Sequence, residues 1–87
     1  MTKSLTFAQK IIFTTANIKL LSVLLSGPKT FLELRTEGIA SVDNTLYFLD
    51  VIKKSKDGTF ELTESGTKVA STLTAFLEAV NNILPGG

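Results

Sequence analysis

The sequence predicts a mostly α fold with one small β-hairpin, and three observations predict it. Apolar residues recur at spacings of three and four through most of the 87 residues, the period of a helix face. One Asp-Gly pair, Asp57-Gly58, lies between two short runs that suit paired strands. Thr, Asn, Ser and Gly fall where helix starts and stops belong. Together they place a single domain over residues 1–84 and a flexible tail over 85–87.

In chain order, a first helix is expected from Ser4 to Phe13, with Leu5, Ala8, Ile11 and Ile12 on one face and Ser4 or Thr6 as its cap. The weaker helix formers Thr14 and Thr15 predict a break. Asn17 is then read as the cap of a second helix, apolar nearly all round and therefore central. Gly27-Pro28 ends it, since proline cannot continue a helix. Thr30 opens a third helix, and Glu33 at the third position completes a capping box. Gly38 suits the left-handed position that closes it.

Ser41 is read as the cap of a fourth helix running to Ile52. Val42, Leu46, Leu49 and Ile52 would face the core, leaving Asp43, Asn44, Tyr47, Asp50 and Val51 outward. Phe48 lies among the outward positions, but its chemistry favours the core over a reading role. The third and fourth helices, joined by a glycine-containing turn, have the form of a helix-turn-helix, whose second helix can enter a major groove. Asp57-Gly58 predicts a type I′ turn between strands at about 52–56 and 59–62. Thr63 caps a last helix, Glu64 to Leu84, along which Val69, Leu73, Phe76, Val80 and Ile83 or Leu84 recur in a heptad-like seam.

Composition narrows the chemistry. The chain has no cysteine and no histidine, which removes disulfides, thiolate metal sites and the commonest general base. Gly27-Pro28-Lys29-Thr30 lacks the first glycine and the spacing of a phosphate loop. No carboxylate pair is spaced for acid/base work. Neither an enzyme nor a cofactor, metal or small-molecule effector is therefore expected. The apolar run from Ile11 to Leu25 is broken by polar residues and shorter than the roughly 20 residues of a membrane span, so no membrane partner is expected. A chain without stapling cysteines or a clear signal peptide suits a cytoplasmic location. Net charge is only +1, giving no global pull toward nucleic acid. Yet 44% of residues are hydrophobic, much for so small an interior, and a second copy is expected to cover part of that surface.

The order of these elements resembles the winged helix-turn-helix transcription regulators related to the ArsR, MarR and PadR groups, of archaeal or bacterial type. The likeness is carried by a hydrophobic helix ending at Gly27-Pro28, the T-x-x-E-L of Thr30–Leu34, the T-L-Y of Thr45–Tyr47, and the L-T-E-x-G of Leu62–Gly66. It implies a winged helix-turn-helix with an extended C-terminal dimerisation helix, binding double-stranded DNA sequence-specifically as a homodimeric regulator, more often a repressor. There are departures. Relatives place a basic residue where this chain has Phe48, the wing is short, and Thr30–Ile52 holds one arginine against four acids. The last feature supports an alternative, a winged-helix module that binds protein in a transcription or replication assembly.

If DNA is the partner, Asn44 is the candidate for an adenine edge, and Ser41, Thr45 and Tyr47 for phosphate or base contact. Lys53, Lys54 and Lys56 are candidate phosphate anchors, with Lys29 and Thr30 as weaker ones. The candidate dimer interface joins Leu5, Ile12 and Phe13 to Leu73, Phe76, Leu77, Val80 and Leu84.

Overall fold

A computed structural model describes residues 4–84; the tail expected at 85–87 lies outside them. Five helices and a hairpin follow in the order α1 (Phe7–Ile12), α2 (Thr15–Leu24), α3 (Phe31–Thr36), α4 (Thr45–Phe48), β1 (Ile52–Lys54), β2 (Phe60–Leu62) and α5 (Glu64–Ile83). The fold is thus mostly α with a two-stranded antiparallel hairpin and a long C-terminal helix. No described helix is long and apolar enough to cross a membrane.

Local chemistry explains the starts. Thr6 and Gln9 form a capping box on α1, and Thr30 and Glu33 form another on α3. In each, a threonine oxygen accepts a backbone N–H that has no partner within the helix, while the acid or amide returns to the cap's own N–H. Thr63 accepts from the Gly66 N–H at 2.9 Å to open α5. The cap of α2 is Thr14, which accepts from the Asn17 N–H at 3.2 Å. Asn17, expected there from its type, lies inside the helix instead.

The ends of α3 and α4 share one geometry. After α3, Ile39 N–H donates to Leu34 O and Gly38 N–H to Arg35 O, both at 2.9 Å, with Gly38 at φ 87°. After α4, Val51 N–H donates to Leu46 O and Asp50 N–H to Tyr47 O, both at 3.0 Å. Each is a Schellman closure, which sets an apolar residue after the turn against one inside the last turn. Ile39 and Leu34, and Val51 and Leu46, are all buried. The second closure is made by Asp50 at φ 58°, a conformation that aspartate tolerates better than most residues. It corrects the expected course of α4, which is a single turn of four residues and does not reach Ile52. The early reversal also buries Val51, expected to face outward.

The hairpin pairs Ile52 with Leu62, Lys53 with Glu61 and Lys54 with Phe60. Its loop is not the expected two-residue type I′ turn: Gly58 has φ 86° and Asp57 has no positive φ. Ser55 N–H donates to Thr59 O at 2.9 Å and Gly58 N–H to Ser55 O at 3.0 Å, so Lys56, Asp57 and Gly58 form a three-residue loop closed by glycine. The Asp57 carboxylate accepts from Ser55, from the Thr59 hydroxyl at 2.8 Å and from the Thr59 N–H at 3.2 Å. These bonds hold its pKa below the ordinary carboxylate range, the Ser55 bond foremost. Beyond the hairpin, Lys29 and Phe60 exchange two main-chain bonds of 3.0 and 2.7 Å, an isolated antiparallel bridge.

The core gathers Leu20, Leu21 and Leu24 of α2 with Leu34, Leu46, Ile52, Phe60, Ala70 and Leu73. Leu20, Leu21, Leu34 and Leu46 are fully buried, each worth about 1.5–3 kcal/mol over leaving it exposed. The expectation that α2 is central holds: it packs against α1, α5 and β2.

Candidate nucleic-acid interface

The single turn α4 has one face in the core and one in solvent. Leu46 is buried on the inner side, and Tyr47 and Leu49 pack partly against the core. Asn44 already has helical dihedrals, φ −61° and ψ −23°, so Asn44 and Phe48, four residues apart, share the outer face. Both are exposed, and Phe48 is 89% exposed, more than any other large hydrophobic residue described. This reverses the expectation of a core Phe48. Helical spacing put it among the outward positions, and side-chain type argued against that placement.

Asp43 supplies what Ser41 was expected to supply. Its Oδ1 accepts the Thr45 N–H at 2.9 Å, and its Oδ2 accepts from Asn17 Nδ2 at 3.1 Å. The Thr45 N–H bond is the first cause, and the Asn17 bond the second, of an Asp43 pKa below the ordinary range. The same Asn17 amide donates to Ile11 O at 2.7 Å. A buried asparagine, 4% exposed, thus joins the end of α1, the first turn of α2 and the start of α4. Ser41 itself is exposed.

Replacing Asn17 by alanine leaves the Asp43 carboxylate and the Ile11 carbonyl short of a donor. It should cost about 1–3 kcal/mol, read by urea denaturation. The depressed Asp43 pKa implies stability that is fully present above the unfolded value near about 4 and is lost as pH falls through the folded value. The cost of Asn17→Ala should therefore shrink in strong acid. An equal cost at neutral and strongly acid pH would refute the Asp43 link.

Strand alternation divides the three lysines. Lys53 faces outward and pairs with Glu61 at 3.3 Å. Lys54 lies on the other side, its ammonium 5.3 Å from the centre of the Phe60 ring, near enough for cation–π attraction. Lys56 is exposed in the loop and forms no ion pair among the described residues. Lys29 is half-buried and its backbone is committed to the bridge with Phe60. The Thr30 hydroxyl accepts from the Glu33 N–H at 3.1 Å, so its first task is the cap. Glu33 in return accepts the Thr30 N–H at 2.9 Å, the main cause of its lowered pKa. Thr45 is half-buried, and burial pushes the Tyr47 hydroxyl pKa up.

The candidate dimer residues divide similarly. Ile12 and Leu73 lie in the chain's own core, whereas Leu5, Phe13, Phe76, Leu77, Val80 and Leu84 are exposed. Between α1 and α5 runs an open, almost wholly apolar groove of about 550 Å³, floored by Ile12, Val69 and Leu73 and flanked by Phe13 and Phe76.

Comparison of the chain with family models, with curated proteins and with solved structures finds no match.

Proposed function

We propose that the protein is a winged helix-turn-helix regulator that binds double-stranded DNA sequence-specifically as a homodimer. The observation that carries this reading is the Lys29–Phe60 bridge. It ties the residue entering α3 to the second strand of the hairpin, so helix pair and hairpin share one frame. In a winged helix that frame carries the reading helix in the major groove while the hairpin lies along the backbone. Here α4 would offer Asn44 to base edges, and the hairpin would offer Lys53, Lys54 and Lys56 to phosphates.

The acids of this segment weigh against DNA, since affinity depends largely on neutralising phosphates. Two of the four are engaged: Glu33 accepts from the Thr30 N–H, and Asp43 from the Thr45 N–H and Asn17. A second reading, a module that docks on protein, is favoured by the exposed Phe48 beside that negative charge.

Salt-dependent DNA binding separates the two. Alanine at Lys53, Lys54 and Lys56 should weaken binding to all duplexes alike and lower the salt slope by about 0.9 for each phosphate no longer neutralised. Lys53, partly neutralised by Glu61, should contribute least. A parent that binds no duplex at low salt refutes the DNA reading. A parent that binds, with a triple variant of unchanged affinity and slope, refutes the lysines' role alone.

A further inference from the structure

Resting on the reading of α4 as a DNA-contacting helix, we infer that Phe48 is a specificity-determining residue that packs on thymine methyl groups. With Asn44 it makes α4 a reader of A·T pairs. Phe48 is the most exposed large hydrophobic side chain of the described residues, and none of them covers it to account for its apolar character there. In the major groove only an A·T pair presents a methyl group, and phenylalanine is among the side chains that contact it.

The rest of the face points to the same base pair. Asn44 lies one turn before Phe48. An asparagine amide can donate to N7 and accept from N6–H of a single adenine, a bidentate match that guanine does not offer. The residue types that read guanine are arginine and lysine, and none occurs between Ile39 and Ile52. A carboxylate could accept from the cytosine amino group, but that of Asp43 is turned back onto the Thr45 N–H and Asn17. Asp50 lies past the end of α4, where the chain reverses. Tyr47, the other aromatic of the turn, is partly withdrawn against the core.

Four helical residues advance about 6 Å along the axis. At about 3.4 Å per base-pair step, the adenine read by Asn44 and the thymine read by Phe48 should lie within about two base pairs of each other.

The test has two stages. Short random-sequence duplexes are first enriched on the full-length protein. Thymines of the enriched half-site are then replaced singly by deoxyuridine, which removes only the methyl group. The expected result is an A·T-centred half-site with one thymine whose replacement weakens binding about fourfold, the factor for burying one methyl group. Phe48→Ala should bind the parent site about as weakly as the parent binds the deoxyuridine site, and should be indifferent to the replacement. Because Phe48 is exposed, its truncation should leave the unfolding midpoint unchanged. Enrichment of sites at which no deoxyuridine replacement matters would overturn the role of Phe48 while leaving DNA binding intact, as would a methyl preference that persists in Phe48→Ala. Failure to retain any duplex would overturn the DNA reading itself, and this inference with it.

Discussion

Gly66→Ala is expected to destabilise the fold by at least about 3 kcal/mol, the upper range for forcing atoms into a packed site. On an exposed helix the same change gains about 1 kcal/mol from helix propensity. Here a Cβ on Gly66 would lie 1.8 Å from the Val51 carbonyl oxygen and 2.8 Å from its carbon. The obstacle is backbone, and that backbone is held. The Val51 carbonyl accepts the Thr63 N–H at 3.0 Å and the Thr63 hydroxyl at 3.1 Å. Thr63 in turn caps α5 through Gly66. Moving Val51 to admit a methyl group would therefore disturb the closure after α4, the start of β1 and the cap of α5 together. Urea denaturation followed by circular dichroism checks it, with Ser65→Ala at the exposed neighbouring position as a control. A variant with a raised midpoint would show that this close approach is absent.

The pattern of what could be read from the residues follows from this example. Thr30 with Glu33, Thr63, Gly27-Pro28 and Gly38 act on neighbours a few positions away, and the structure has them where the sequence places them. Leu62-Thr63-Glu64-Ser65-Gly66 marked a boundary, but the reason for its glycine is Val51, distant in sequence. Asn17 looked like a cap because its type suits one. Its partners are Ile11 and Asp43, and the latter is 26 positions away. The Schellman closure after α4 escaped because aspartate, not glycine, takes the left-handed position. A helix extended to Ile52 would expose Val51, where the reversal at Asp50 buries it. Phe48 divided the two signals: helical spacing put it outward, where it lies, whereas hydrophobic type predicts burial in a folded chain.

The second large effect should be on assembly. α5 is 20 residues long, but the last of its side chains buried in the domain is Leu73. Beyond it come Phe76 at 62% exposure, Leu77, Val80, Ile83 at 74% and Leu84, with Glu78 the one charged residue after Lys68. The groove beside α1 and the exposed Phe13 and Leu5 continue this surface. Full burial of such side chains is worth about 1.5–3 kcal/mol each, and a monomer rarely leaves a patch of this kind in water. A second α5 laid against the first about a two-fold axis would cover both stripes. It would also carry two α4 turns toward major grooves about 34–36 Å apart, predicting an inverted-repeat site. The protein should sediment as a dimer at micromolar concentration. Phe76→Glu combined with Val80→Glu should sediment as a monomer. Both positions are already exposed in the single chain, so the variant should keep the helical content and unfolding cooperativity of a folded domain. Two outcomes would refute this assembly: a parent that stays monomeric at high concentration, or a double variant that dimerises as the parent does.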